Sequence, residues 1–114
     1  MTAARQALGA RGEQLAARHY EAAGYRVVAR NWRCNEGELD LVLRGDGVLV
    51  FAEVKTRSSD RFGIPAEAVT PAKQRRVRRL GQRFCAETGE RARTLRFDVV
   101  SILRGEVEII EGCF

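Results

Sequence analysis

The segment from Glu38 to Lys55 constrains this chain more than any other. Glu38 to Arg44 alternates strictly, with Leu39, Leu41 and Leu43 on one side and Glu38, Asp40, Val42 and Arg44 on the other. Such period-two patterning predicts a strand. Gly45-Asp46-Gly47 then reads as a hairpin turn. Val48 to Val54 is apolar apart from Glu53, the pattern of a central strand buried on both faces. A two-residue Gly45-Asp46 loop would set Arg44 opposite Gly47, Asp40 opposite Phe51 and Glu38 opposite Glu53. In that register Glu38, Asp40, Glu53 and Lys55 share one face, with Asp40 diagonal to Glu53. A slip of one residue would send Asp40 to the other side.

The remaining pattern fits around this hairpin. Thr2 to Ala23 is rich in Ala, Leu, Gln, Glu and Arg, with Leu8, Leu15, Ala16, His19, Tyr20 and Ala23 at helical spacing, and Gly24 follows as a stop. His19 reads as a packing residue. Tyr25 to Arg30 predicts a short strand, Asn31 to Gly37 a loop in which Trp32 is an anchor, and Ser58 to Thr70 a polar loop. Pro71 to Glu87 predicts a second helix with Val77, Leu80 and Phe84 inward. Leu95 to Leu103 and Val107 to Glu111 predict two further strands, with Asp98 either paired to an Arg of the helix or ending a sheet edge. The 114 residues fit one domain, 1–114, of α/β class: a mixed sheet with helices packed on it.

Charge placement is informative. Six bases (Lys73, Arg75, Arg76, Arg78, Arg79 and Arg83) and no acid lie between Pro71 and Arg83. That run excludes pairing among its own members and predicts a phosphate-binding face. Of 20 bases only Lys55 and Lys73 are lysines; Arg keeps its proton, so a lysine retained here points to chemistry that needs one. Lys73, kept as lysine in an arginine-writing chain, is a candidate to reach the site from the helix, against the plainer reading of a solvated helix face. The three cysteines are odd in number and widely spaced, and His19 is the single histidine, so a zinc site of ordinary spacing is excluded and free thiols in the cytoplasm are expected. No apolar run approaches the length of a membrane span.

Charge at positions 53 and 55 of a buried strand costs several kcal/mol per unpaired ion. Two neighbouring carboxylates, Asp40 and Glu53, repel unless a proton or cation lies between them. A hard ion, Mg²⁺ or Mn²⁺, fits such oxygen ligation with water and phosphate completing its shell. Lys55 beside it could orient the attacking water or stabilise developing charge, an apparatus for phosphodiester hydrolysis. The basic helix, with Arg30 and Arg33, would hold the nucleic-acid backbone. The plainer reading of Asp40, Glu53 and Lys55 is a structural ion-pair cluster, with Glu38 pairing an Arg.

Asp40 followed by Glu53-Val54-Lys55 resembles the PD-(D/E)xK signature of restriction-endonuclease-like nucleases, although Leu39 stands where the signature has Pro. Over most of its length the chain is similar to the YraN-like family of bacterial proteins. The similarity runs through Gly12-Glu13, Gly24-Tyr25, Arg30-Asn31-x-Arg33, GELDLV (37–42), FAEVKTR (51–57), Phe62-Gly63, Pro65 and RFDV (96–99). The resemblance implies an αβββαβ core like that of archaeal Holliday-junction resolvases, with Glu13 joining Asp40 and Glu53 as metal ligands and Lys55 as the catalytic lysine. The resemblance gives no substrate; with the basic helix it leads to the expectation of a Mg²⁺-dependent endonuclease on structured DNA, branched DNA among the candidates, and by analogy a homodimer. The competing expectations are an idle nucleic-acid-binding module and an adaptor docking an acidic protein through the basic helix.

Overall fold

A computed structural model of the chain describes the backbone of residues 3–57 and 70–112, with side chains for 11–56 and 70–112. The order is α1 (Ala3–Ala22), β1 (Arg26–Cys34), β2 (Gly37–Arg44), β3 (Val48–Arg57), α2 (Pro71–Thr88), β4 (Thr94–Leu103) and β5 (Glu106–Ile110). The five strands form one mixed sheet in the order β1-β2-β3-β4-β5. All neighbours are antiparallel except β3 and β4. A parallel pair needs a crossover, and α2 lies on it. The expected αβββαβ core is therefore present, with β5 added at the edge. Of the predicted loop from Ser58 to Thr70, residues 58–69 lie outside the described residues.

Each face of the sheet carries one helix and one core. Ala16, Ala17 and Tyr20 of α1 pack on Leu41, Leu43, Val50, Ala52, Val100 and Ile102. Leu80 and Phe84 of α2 pack on Leu39, Val42, Leu49, Phe51 and Phe97. The α1 stripe runs through 16, 17 and 20, so His19 is exposed rather than packed. The helix α2 starts at Thr70, whose hydroxyl accepts the Lys73 N–H at 3.2 Å, with Pro71 in the first turn. Gly81 lets α2 settle directly on the aromatic floor: a Cβ there would meet Phe51 and Phe97 rings at 3.1 and 3.2 Å.

Two elements differ from the sequence reading. The strand β1 continues through the expected loop to Cys34, and a tight turn at Asn35-Glu36 leads into β2. Strand pairing with β2 overrides the polar composition of Asn31 to Arg33. Trp32 is the anchor expected, edge-on to Phe84 at 5.4 Å between centroids. The second difference is the β2–β3 register. Leu41 pairs with Ala52 and Arg44 with Leu49, two residues away from the expected alignment, because the closing hydrogen bond runs from Gly45 N–H to Val48 C=O at 2.9 Å. The loop is thus Asp46-Gly47, with Gly47 at φ 69°.

α1 approaches β3 most closely at Gly12. A Cβ at that position would overlap the Thr56 hydroxyl and lie 3.3 Å from Ile102 Cδ1. Gly12→Ala gains about 1 kcal/mol of helix propensity, yet the overlap costs more, about 1–3 kcal/mol. We therefore expect a net loss in chemical denaturation. In Gly12→Ala/Thr56→Ala that loss is recovered, because the overlapping atom is gone. Equal stabilities of the single and double variants would refute the close contact.

Candidate active site

The candidate residues gather where the sheet opens. The β2–β3 pairing ends at Leu41–Ala52. Just beyond it the alternation of β2 breaks: Leu41 and Leu43 belong to the α1 core, but Leu39 lies with Val42 in the α2 core. The expected single face for Leu39, Leu41 and Leu43 is thus corrected, and the switch falls at Asp40. Its carboxylate takes the place of a backbone partner, with Oδ2 accepting the Val54 N–H at 2.8 Å. One side chain therefore satisfies a buried donor that the parted strands leave behind. Asp40 and Glu53 lie just past the last paired residues, Leu41 and Ala52, and line the same opening.

The opening is a cleft of about 420 Å³ whose lining includes Leu39, Asp40, Glu53, Lys55, Lys73 and Arg76. Glu53 and Lys55 project together from β3 and form an ion pair, Nζ to Oε1 at 3.0 Å. Lys73 and Arg76 come from the first two turns of α2. Lys73 reaches the cleft, as the scarcity of lysine suggested.

The electrostatics are those of crowded acids. Burial pushes the Asp40 carboxyl up to about 6, and the negative charges of Glu13, Glu53 and Glu38 add to this against the Val54 hydrogen bond. Glu13 is raised as well, first by burial and then by Glu38, against the side-chain hydrogen bond from Asn31 and the charges of Arg30 and Arg33. The helix residue Glu13 therefore faces the same group of carboxylates. Asn31, at φ 50° in β1, is the neighbour whose hydrogen bonding moderates that rise. Sequence reading passed over Asn31 as a contact, and a polar residue tolerant of the left-handed region inside a strand was the available signal.

Asp40 and Glu53, flanked by Glu13, are the oxygen donors that could hold a hard cation. Among the described residues no group of three or more His, Cys, Asp or Glu side chains is close enough to hold an ion by itself. A cation of the Mg²⁺ type needs only one or two carboxylates, with water and phosphate oxygens completing its shell. The raised carboxyls fit it, since a bound cation offsets both the burial and the neighbouring negative charges that raise them.

The other expected contacts divide. Arg33 forms an ion pair with Glu38, Nε to Oε2 at 3.0 Å, on an exposed surface; this is the plain role foreseen for Glu38. Arg30 is exposed. Arg75 and Arg78 are exposed on α2. Arg79 and Arg83 turn instead to Glu36 in the β1–β2 turn, at 3.6 and 3.0 Å. Arg83 also binds Glu87 at 2.7 Å, so an acid just past the acid-free run provides a pairing within the helix. Cys34 and Cys85 are free thiols, as expected; Cys113 lies outside the described residues. Asp98 neither pairs with α2 nor ends an edge: it is fully buried beneath α1.

Residues 12–102 match the model of the uncharacterised protein family UPF0102. The chain belongs to this family. Its relatives include UPF0102 proteins of Beutenbergia cavernae, 57% identical over 89% of this chain and 86% of the relative, and of Frankia alni, 51% identical over 97% of each. Another is the UPF0102 protein of Symbiobacterium thermophilum, 51% identical over 86% of this chain and 83% of the relative. The UPF0102 match begins at Gly12, the close contact of α1, and so takes in Glu13 and the whole cleft. Among the described residues no helix is long and apolar enough to cross a membrane.

Proposed function

We propose that this UPF0102 chain is a divalent-metal-dependent endonuclease of the PD-(D/E)xK type, similar to archaeal Holliday-junction resolvases, acting on structured and branched DNA. One observation carries the reading. A half-buried carboxylate, Asp40, stands just beyond the last β2–β3 pair, caps the Val54 N–H, and lines one cleft with Glu53 and Lys55 of a Glu-x-Lys strand and with Lys73 and Arg76. Asp40 and Glu53 would hold Mg²⁺ or Mn²⁺, with Glu13 alongside. Bound there, the ion would supply charge neutralisation and Lewis acidity at the scissile phosphate. Lys55 orients the water and balances the charge that develops on the phosphoryl oxygens. For that it must leave Glu53, whose negative charge is then available for ligation. Lys73 and Arg76 hold the neighbouring phosphates. Work in a cytoplasmic setting and pairing of two copies on one junction accord with this reading.

The test is a cleavage panel of four-way, nicked and single-stranded DNA with Mg²⁺ or Mn²⁺. We expect cleavage that chelation abolishes and that Lys55→Ala reduces by more than about a hundredfold, the scale of a lost electrostatic contact. Undiminished cleavage in Lys55→Ala, or cleavage in excess chelator, would overturn it. The closed Glu53–Lys55 ion pair favours a second reading, an idle nucleic-acid-binding module. For that, DNA binding survives chelation and no substrate is cut. An adaptor for an acidic protein would bind no DNA at all.

A further inference from the structure

We infer that the cations of α2 divide into two working groups: Lys73, Arg75, Arg76 and Arg78 form the surface that carries a nucleic-acid backbone into the cleft, while Arg79 and Arg83 brace the β1–β2 turn. The inference rests on the nucleic-acid reading and specifies which part of the chain makes the contact. Sequence alone treats the six bases as one face. The structure separates them by what they touch.

Arg83 is held on several sides. Its Nη1 contacts Glu36 Oε1 at 3.0 Å and also Asn35 Oδ1, and its Nε donates to Glu87 Oε2 at 2.7 Å. Its side chain is 34% exposed, and hydrogen bonding to Glu87 raises its pKa. Arg79 shares Glu36 at 3.6 Å. Two bases therefore meet two acids, Glu36 and Glu87, and the C-terminal half of the helix is locally neutral. These contacts fasten α2 to the turn that starts β2, three residues before Leu39 and four before Asp40.

The N-terminal half is the opposite. Among the described residues no ion pair or hydrogen bond engages the side chains of Lys73, Arg75, Arg76 or Arg78. Four positive charges thus lie within six residues, at spacings of three along the helix that repel rather than support one another. Lys73 and Arg76 face the cleft, and Arg75 and Arg78 stand on the solvent side of the same turns. A polyanionic strand following this surface would leave the cleft across the N-terminal turns of α2 and not along its whole length. Phosphates are the partners that relieve such crowding, and counterion release on contact makes binding steeply salt-dependent.

Fluorescence anisotropy with a labelled DNA duplex in chelator, between about 50 and 200 mM KCl, separates the groups. Arg75→Gln/Arg78→Gln is expected to flatten the plot of log Kd against log salt by about 1.8, for two lost phosphate contacts. Arg79→Gln/Arg83→Gln is expected to leave that slope unchanged and to lower the melting temperature. Both variants remove two positive charges, so a difference between them reports contact rather than overall charge. If Arg79→Gln/Arg83→Gln does not fold, Arg79→Gln alone, with the longer and more exposed pair, serves in its place. Equal flattening by both variants would overturn the division while leaving the nucleic-acid reading standing. Absence of wild-type binding would remove that reading, and the division with it.

Discussion

Asp40→Asn is expected to abolish metal-dependent cleavage and at the same time make the fold more stable at neutral pH. The amide keeps an oxygen to accept the Val54 N–H, so the parted strand end stays satisfied, but it cannot carry charge. The sign follows from the carboxyl rising from 3.8 to about 6 on folding. Between those values the folded chain holds more protons than the unfolded one, so stability falls as pH rises through the window. Above about pH 6 the full penalty of a buried, crowded carboxylate applies, at most roughly 3 kcal/mol. The advantage of Asn over Asp should therefore grow by about 2 kcal/mol between pH 4.5 and 7.5 in denaturant titrations. Mg²⁺ should raise the melting temperature of wild type and not of the variant, since binding to the folded state alone stabilises it. An advantage that is flat with pH, or equal stabilisation of both proteins by Mg²⁺, would leave Asp40 as a structural acid.

The largest loss of stability is expected at the other buried acid. Asp98 has no exposure and accepts four hydrogen bonds: from the Tyr20 hydroxyl at 2.7 Å, from Arg96 Nε and Nη2 at 2.9 Å each, and from Gly112 N–H at 3.0 Å. Arg96 also donates to the Tyr25 hydroxyl at 3.0 Å. Burial and the bond to Asp98 raise the Tyr20 phenol, and the same partner raises Arg96. The carboxylate thus ties α1 and the start of β4 together and collects the C-terminal end of β5. Asp98→Ala leaves a largely buried guanidinium and a buried hydroxyl without their acceptor, which costs about 3–5 kcal/mol. For a domain with a total of about 5–15 kcal/mol, that is enough to populate the unfolded chain. Tyr20→Phe removes one neutral donor and should cost about 1–2 kcal/mol. A loss at Asp98 no larger than that at Tyr20 would mean the ion pair contributes nothing beyond its shape.

These two aspartates show where a sequence is readable. Both stand in apolar strands, in LDLV and FDVV, and look alike in one dimension. Asp40 was recognised because Glu53 and Lys55 lie across a short hairpin, where period-two geometry links nearby residues. That inference survived an error of two in register because a shift of two by itself exchanges no faces, although the break at Asp40 moves Leu39 to the other side. Asp98 finds its partner hydroxyl 78 residues away on α1, a separation that no local period reports, and its role was not legible. The break in alternation at Asp40 was hidden for a related reason. It arises where β2 leaves β3, and strict alternation in the sequence continues through it. Glu13 is reached through resemblance alone, since it comes from a helix more than twenty residues before Asp40 and no local period links the two.

By itself, then, the sequence determined the two helices and five strands, the face shared by Glu53 and Lys55, and the excess of positive charge on α2. Each follows from interactions over a few residues: hydrophobic period, turn chemistry and helix start signals. The tertiary structure decided which charges are neutralised. Glu36, in a turn formed only because β1 runs on to Cys34, takes up Arg79 and Arg83, while among the described residues no acid pairs with Lys73, Arg75, Arg76 or Arg78. Coulomb energy depends on distance in space, and folding brings together charges that lie more than forty residues apart along the chain.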